Sequence, residues 1–269
     1  MSRLAGRVCL VTGSTGIAAA SAERFGREGA SVFVTSRTEE HSRELAERIG
    51  GERVGWQAAD LTDQDAVEGV IEACVARFGR IDGLFSVVGG SGRRFGDGPV
   101  DQLDADAWEA TLALNLRTQA LVCRSVVGQM RAQQPNESGT RGSILLMGTV
   151  TATDPVPELF GTHAYAAAKG AITALMTSMA ATYVVDRIRV NAVAPSLTRT
   201  PMATRAANDE RILAFARRKQ PLAGEMLDPA EVANAALFFL SDESRTVTGQ
   251  LLKVDGGWSV ISIGPEVAG

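Results

Sequence analysis

One stretch near the start of the chain decides the fold: Val8-Cys9-Leu10-Val11-Thr12-Gly13-Ser14-Thr15-Gly16-Ile17-Ala18. Its first four residues are continuously apolar, which is typical of a parallel strand buried on both faces. The glycines that follow form a turn before a helical pattern. Such a turn lets backbone N–H groups approach a pyrophosphate, which the helix N-terminus also favours electrostatically. The same turn is also compatible with a tight strand-to-helix connection that binds nothing.

The rest of the chain repeats this alternation of short apolar runs and longer helical patterns. Strands are predicted at residues 7–12, 31–36, 53–59, 83–88, 143–148, 188–194 and 250–254. Helices are predicted at residues 17–28, 39–49, 64–78, 107–129, 164–185 and 231–240. This alternation predicts an α/β fold, a single-domain Rossmann-type doubly wound parallel sheet of about seven strands with helices on both faces, over residues 1–269. The long irregular segment at residues 196–228 is predicted to cover a substrate.

Composition argues against several functional classes. A net charge of −4 disfavours nucleic acid as a partner, because a phosphate backbone favours an excess of Lys and Arg. No apolar run reaches the roughly 18 residues of a membrane-spanning helix, and no signal-peptide pattern is visible. Cys9, Cys74 and Cys123 are widely spaced in apolar surroundings, which predicts reduced core residues in a cytoplasmic protein. Two histidines and no cysteine pair at ligand spacing predict no metal site.

Chemistry is indicated most directly by Tyr165 and Lys169. The chain has only two tyrosines and three lysines, yet one lysine follows one tyrosine by four residues in an alanine-rich helical pattern. Positions i and i+4 share a helix face, so the ammonium can stand beside the phenol and favour the phenolate. The alternative is an exposed tyrosine stacked on a lysine stem.

Together with the turn, these residues resemble the short-chain dehydrogenase/reductase family, of the single-domain type similar to 3-oxoacyl reductases, over nearly the whole chain. The family places Y-x-x-x-K at its catalytic centre and a T-G-x-x-x-G-x-G turn after its first strand. The further motifs that carry the resemblance are Asp60-Leu61-Thr62, Asn115, Asn191-Ala192-Val193-Ala194-Pro195-Ser196 with Thr200, and Thr248-Gly249-Gln250 through Asp255-Gly256-Gly257.

The resemblance implies roles for individual residues. The implied catalytic residues are Asn115, Thr149, Tyr165 and Lys169. The implied cofactor-binding residues are Gly13, Ser14, Thr15, Gly16, Ile17, Ser36, Arg37, Asp60, Leu61, Val88, Tyr165, Lys169, Pro195, Thr198 and Thr200. The family also implies a homo-oligomer, a tetramer or a dimer, paired through the helices predicted at residues 107–129 and 164–185 and through the last strand.

The chain departs from the family pattern in four places. The turn is one residue short, since two residues rather than three separate Gly13 from Gly16, and Ala18 replaces its last glycine. The segment at residues 86–89 lacks the side-chain amides that usually brace the sheet. Thr149 stands where the family has a serine. The spacing from Thr149 to Tyr165 is longer than usual, with the extra residues at 154–163.

The choice between NAD(H) and NADP(H) follows from the end of the second strand. Roughly 20 residues beyond the turn, an NAD enzyme places a carboxylate that receives the ribose 2′-hydroxyl. This chain has Ser36 there, followed by Arg37, whose guanidinium can pair with a 2′-phosphate. The sequence therefore favours NADP(H) over NAD(H). Glu39 and Glu40 lie close enough to weaken that assignment, and Arg37 is also compatible with a solvated charge at a helix start.

Three functions remain open at the level of sequence. The first is an oxidoreductase that interconverts a carbonyl and a secondary alcohol, with Tyr165 as acid or base and Thr149 donating to the substrate oxygen. The second is the same fold with altered chemistry, such as elimination or dehalogenation. The third is a nucleotide-binding protein without turnover. Thr149 is also compatible with an ordinary strand-end threonine, and Asn115 with a helix-interior asparagine that bonds backbone.

Two runs of basic residues also have two alternative interpretations. Arg93-Arg94 follow the fourth strand, and Arg217-Arg218-Lys219 lie in the segment at residues 196–228. Each run either meets an anionic substrate or phosphate-bearing carrier at the mouth of the site, or is a solvated loop charge. His163 is predicted to be a surface residue at a helix start.

Overall fold

The computed structural model describes residues 2–262 and contains one sheet of seven parallel strands. The strands are β1 (Val8–Thr12), β2 (Ser31–Ser36), β3 (Val54–Ala58), β4 (Gly83–Ser86), β5 (Gly142–Met147), β6 (Ile188–Pro195) and β7 (Leu251–Val254). Their order across the sheet is β3-β2-β1-β4-β5-β6-β7. All seven predicted strands are present, and the predicted fold class is confirmed. The strand order reverses between β1 and β4, where this fold opens a crevice at the carboxyl edge of the sheet.

Helices connect the strands and cover both faces. They are α1 (Gly16–Arg27), α2 (Glu39–Ile49), α3 (Gln64–Phe78), α4 (Ala105–Leu112), α5 (Thr118–Ala132), α6 (Pro157–Phe160), α7 (His163–Tyr183), α8 (Thr204–Ala207), α9 (Glu210–Lys219) and α10 (Pro229–Leu240). One apolar core packs α1, α2 and α10 against the sheet, and a second packs α3, α5 and α7 against the opposite face. The sheet is therefore the middle of three layers.

The helix predicted at residues 107–129 is not continuous. A π-helical segment (Ala113–Arg117) separates α4 from α5. The hydrophobic pattern passes through this segment without a break, so the sequence shows no sign of it. The segment contains Asn115, which is fully buried, and such π-bulges are frequent at functional sites.

The segment at residues 196–228 is more regular than its sequence suggests. It holds α8 and α9, neither of which was predicted. Helix α9 is amphipathic and buries Ile212 and Ala216, and the Asp209 carboxylate accepts the N–H of Arg211 at its start. The longer spacing before Tyr165 likewise contains a short helix, α6. These two insertions meet at the carboxyl edge of the sheet.

A pair of hydrogen bonds fastens β1 to the chain beyond β4. The Thr12 hydroxyl accepts the N–H groups of Val87 (3.0 Å) and Val88 (3.2 Å). It therefore provides a brace where the family's side-chain amides are missing. Because these two N–H groups bond a side chain, β4 ends at Ser86, two residues earlier than predicted.

Two features that the composition raised are the state of the cysteines and the character of the helices. Cys9, Cys74 and Cys123 are buried and unpaired, and burial raises the pKa of each thiol above its usual value. A search of the helices within residues 2–262 finds none with the length and apolar character needed to span a membrane.

Candidate active site

The carboxyl ends of the central strands border a cleft of about 790 Å³. One end of the cleft is formed by the turn after β1 and by residues 36–38 after β2. The other end is formed by residues 87–94 after β4, residues 147–151 after β5 and the start of α7. Residues 196–206 form a further wall.

The turn after β1 offers unbonded backbone N–H groups. Helix α1 begins at Gly16, and within residues 2–262 the N–H groups of Thr15, Gly16 and Ile17 donate to no protein atom. Gly13 and Gly16 have φ values of 113° and 53°, and a Cβ at Gly13 would lie 2.9 Å from that of Ala18. Glycine is therefore required at both positions. The shortened turn keeps the donors and the helix dipole that suit a pyrophosphate.

Hydroxyl groups link this turn to the end of β2. Ser14 donates to Ser36 (2.9 Å), and Ser36 also bonds the hydroxyl of Ser42 (2.7 Å). The Ser14 hydroxyl is therefore already engaged, whereas the Thr15 side chain is exposed and its hydroxyl bonds no other described residue. Of the two hydroxyls in this turn, that of Thr15 is the one left to donate to a bound group.

Arg37 lies in the cleft wall beside these serines. Hydrogen bonds from Thr62 hold the pKa of Asp60 below its usual value, and the Arg37 guanidinium contributes to the same shift. Glu39 and Glu40 begin α2 but do not line the cleft. Arg37 is therefore the charged side chain that lines the cleft at the end formed by the turn after β1 and the residues after β2.

Tyr165 and Thr149 lie together at the other end. Burial raises the pKa of Tyr165 to about 12, and a hydrogen bond from Thr149 opposes that shift. Thr149 follows β5, and its hydroxyl is 3.1 Å from that of Thr151. At neutral pH the phenol is therefore protonated and able to donate to an oxygen in the cleft.

Lys169 stands one helical turn beyond Tyr165. Its Nζ donates to the Met147 carbonyl (2.9 Å) and lies 5.7 Å from the centroid of the Tyr165 ring. The side chain is 2% exposed, and burial lowers the pKa of the amine to about 7. The predicted i, i+4 juxtaposition is present. The predicted effect of the ammonium, which is to favour the phenolate, is opposed by burial, the main cause of the raised pKa of Tyr165.

Asn115 reaches the site through the backbone. Its amide donates to the carbonyls of Gly90 and Thr111 (both 2.9 Å), and its oxygen accepts the Gly90 N–H (3.0 Å). A Cβ on Gly89 would lie 2.6 Å from that oxygen and 3.3 Å from the Lys169 Nζ. Asn115 therefore fixes the chain after β4 between itself and Lys169, which agrees with the backbone-bonding alternative.

The start of α7 is held by a residue that the sequence did not single out. Both oxygens of the Asp97 carboxylate accept N–H groups, from Ala164 (3.0 Å) and Tyr165 (2.9 Å). His163 joins the same loop by accepting the N–H of Val100 at Nδ1 (3.1 Å). Asp97 is thus a remote helix cap that sets the position of Tyr165. No local pattern could have revealed it, because it lies 67 residues before the helix.

The cleft gathers most of the residues singled out in the sequence. Those that line it are Gly13, Ser14, Thr15, Ile17, Ser36, Arg37, Val88, Thr149, Tyr165, Lys169, Pro195, Thr198 and Thr200. The others, Gly16, Asp60, Leu61 and Asn115, do not line it. Thr200 closes over the turn, because a Cβ at Gly16 would lie 2.8 Å from its methyl group.

The charges of the cleft are one-sided. Its described lining contains five Arg and Lys side chains and no Asp or Glu. The five are Arg37, Arg93, Arg94, Lys169 and Arg205. This contrasts with the net charge of −4 of the whole chain. Over residues 2–262, no three His, Cys, Asp or Glu side chains lie close enough together to hold a metal ion.

The buried amine predicts a pH-dependent stability. Its pKa is about 7 in the folded protein and 10.5 ordinarily. Below pH 7 the folded state buries a charged ammonium, which lowers its stability. Between pH 7 and 10.5 the folded state holds a neutral amine, while Lys169 of the unfolded chain stays protonated. Stability therefore rises with pH across that window, by at most about 1.4 kcal/mol per unit. Lys169→Met is expected to raise the unfolding free energy at pH 6 and to lose that advantage by pH 10.

Urea unfolding of both proteins at pH 6, 8 and 10 measures this difference. The matched control is Lys253→Met, which removes an exposed lysine from β7 and is expected to leave the pH dependence unchanged. A stability difference for Lys169→Met that stays constant with pH would contradict the assignment.

Comparisons with known proteins identify the family of this chain. The family model described as enoyl-(acyl carrier protein) reductase matches residues 11–259. Short-chain dehydrogenase reductase 5 of Arabidopsis thaliana is 34% identical over 265 residues, covering 97% of each chain. The 3-oxoacyl-[acyl-carrier-protein] reductase of Thermotoga maritima is 34% identical, covering 95% of this chain and 98% of that one.

Solved structures give the same result. A short-chain type dehydrogenase/reductase from Mycobacterium ulcerans has a TM-score of 0.85 to this chain and 28% sequence identity, covering 95% of this chain and 90% of that one. The family predicted from the motifs is confirmed. This chain belongs to the short-chain dehydrogenase/reductase family and is an oxidoreductase that acts on CH–OH or carbonyl groups.

Proposed function

We propose that this protein is an NADP(H)-dependent oxidoreductase that interconverts a carbonyl and a secondary alcohol, with Tyr165 as the acid or base. Enzymes of this family bind a nicotinamide cofactor, which supplies or accepts a hydride when bound. The observation that carries the proposal is a single cleft with the α1 N-terminus and Arg37 at one end and Tyr165, Thr149 and Lys169 at the other. Residues 196–228 would cover the substrate.

The first end of the cleft fits a dinucleotide. The free N–H groups of Thr15, Gly16 and Ile17 suit a pyrophosphate, and Gly13 leaves space for its approach. By family resemblance, Asp60, Leu61 and Val88 would surround the adenosine half, and Pro195, Thr198 and Thr200 would hold the nicotinamide amide.

The second end supports proton transfer to or from a substrate oxygen. The protonated phenol of Tyr165 can donate to a forming alkoxide in reduction, and the Thr149 hydroxyl, which lowers the pKa of that phenol, can donate to the same substrate oxygen. In oxidation the phenolate is required, and a positively charged Lys169 would stabilise it. Asp97 keeps the tyrosine in place by holding its N–H group.

The preference for NADP(H) rests on charge. Arg37 faces the cleft, and no carboxylate of the described lining competes with a 2′-phosphate or repels it. Asp60 lowers the net positive charge at this point but lies outside the lining. Family resemblance adds the role of a water-holding residue for Asn115. The unpaired, buried cysteines favour a cytoplasmic location.

Tyr165→Phe is expected to lower turnover by about 10²–10⁴-fold while leaving nucleotide affinity nearly unchanged, because it removes the proton donor and keeps the ring. Reduction of a ketone panel, followed by nucleotide absorbance, measures turnover. The matched control is Tyr183→Phe, which alters the other tyrosine of α7 and is expected to retain activity. A Tyr165→Phe variant with more than half the activity would remove this residue from the mechanism.

The cofactor prediction is that NADPH binds more tightly than NADH, and that Arg37→Ala removes most of the difference. Titration calorimetry with both nucleotides tests it. Arg43→Ala, on the exposed side of α2, is the control for loss of one positive charge. Tighter binding of NADH to the parent protein would reverse the assignment. If neither nucleotide bound at millimolar concentration, altered chemistry on the same fold would become the better explanation.

We also propose a homotetramer or homodimer in which copies of α7 meet. Along its exposed side this helix carries a row of small residues, namely Ala167, Gly170, Ala174, Ser178 and Ala181. A second helix could approach it closely, and closed symmetric assemblies are common among soluble chains. Light scattering is expected to give a multiple of the 28.3 kDa chain mass. A single 28 kDa species at micromolar concentration would contradict it.

A further inference from the structure

Two arginines from different elements converge at the substrate end of the cleft. Arg93 lies in the 3₁₀ turn after β4 (Gly92–Phe95), and Arg205 lies in α8. Both guanidinium groups donate to the Leu159 carbonyl of α6, at 3.4 Å and 3.1 Å. Three segments that follow different strands therefore meet at one carbonyl oxygen.

The two cations have no ionic partner of their own. Over residues 2–262, neither guanidinium has a carboxylate within ion-pair distance. The basic run of α9 differs, because Arg217 bonds Glu210 and Glu225 and Lys219 bonds Asp154. Of the two basic runs in the sequence, the Arg93-Arg94 run lines the cleft. Arg205, which the sequence pattern did not indicate, lines it as well.

The local electrostatics favour an incoming anion. Burial lowers the pKa of Arg93, the charge of Arg205 lowers it further, and Asp97 opposes both effects. Asp97 is the nearest compensating charge, but both of its oxygens already accept N–H groups at the start of α7. A negative group between the two arginines would relieve their repulsion.

We propose that Arg93 and Arg205 form an anion subsite that selects small carbonyl or alcohol substrates bearing a carboxylate. This inference rests on the proposed oxidoreductase function. The planar oxygen of Leu159, held by both guanidinium groups, occupies the kind of position that one carboxylate oxygen would take. Arginine pairs well with such planar oxyanions through charge-assisted hydrogen bonds. The same cleft must also hold a dinucleotide, which limits the substrate to a small molecule.

Binding without turnover tests the subsite directly. Cyclohexanecarboxylate, its neutral amide and cyclohexyl phosphate would be titrated into the protein by calorimetry, with and without NADPH. The carboxylate is expected to bind about tenfold more tightly than the amide. Arg93→Gln and Arg205→Gln should each remove most of that difference. The control is Arg199→Gln, because this exposed arginine lies between the wall residues Thr198 and Thr200 but does not itself line the cleft.

Two further variants guard against a folding effect. Arg93→Lys and Arg205→Lys keep the charge, so each should recover part of the preference if the subsite is electrostatic. Equal affinity for the carboxylate and the amide in the parent protein would overturn the proposal. A clear preference for the phosphate would overturn the choice of carboxylate.

Kinetics separates this inference from the proposed function. 4-Oxocyclohexanecarboxylate should show a KM about tenfold below that of 4-methylcyclohexanone, and the glutamine variants should raise only the first value. If both ketones are reduced with equal KM, the subsite fails and the oxidoreductase stands. If neither is reduced while the arginine-dependent binding persists, the proposed function fails and the subsite stands.

Discussion

The hydroxyl of Thr12 accepts the N–H groups of Val87 and Val88, and the geometry of the cleft depends on that pair of hydrogen bonds. They hold the ends of β1 and β4 together where the strand order reverses. From there the chain after β1 turns toward α1, and the chain after β4 turns toward Asn115. A parallel sheet brings all its carboxyl ends to one edge, and this brace determines where that edge opens.

The sequence was sufficient for the elements that obey a simple period. Helices α2 and α3 have the predicted bounds, and every predicted strand is present, because uninterrupted apolar runs and amphipathic periods were each clear. The failures have physical causes. The π-helical segment inside the fourth long helix preserves the apolar pattern, and α9, although amphipathic, lies in a segment whose surrounding residues have no regular period.

The residues of the candidate site likewise fall into those that motif spacing predicts and those that it does not. Motif spacing brought Tyr165, Lys169 and Thr149 together, since neighbouring strand ends and one helix face place them. Motif spacing did not predict contacts between distant segments of the chain. Asp97 caps α7 across 67 residues of chain, at Ala164, and Arg205 meets Arg93 only because α8, α6 and the turn after β4 pack together. Such partners are set by tertiary packing rather than by any local period.

One electrostatic property joins both ends of the cleft. Lys169 is buried with its pKa lowered to about 7, in a cleft where four arginines and no described carboxylate lie. At the substrate end the charge of Arg205 raises the cost of charging Arg93, whereas the pKa of Lys169 is lowered by burial. The lining supplies positive side chains at both ends and no described carboxylate. An anion that enters either end of the cleft therefore meets positive charge.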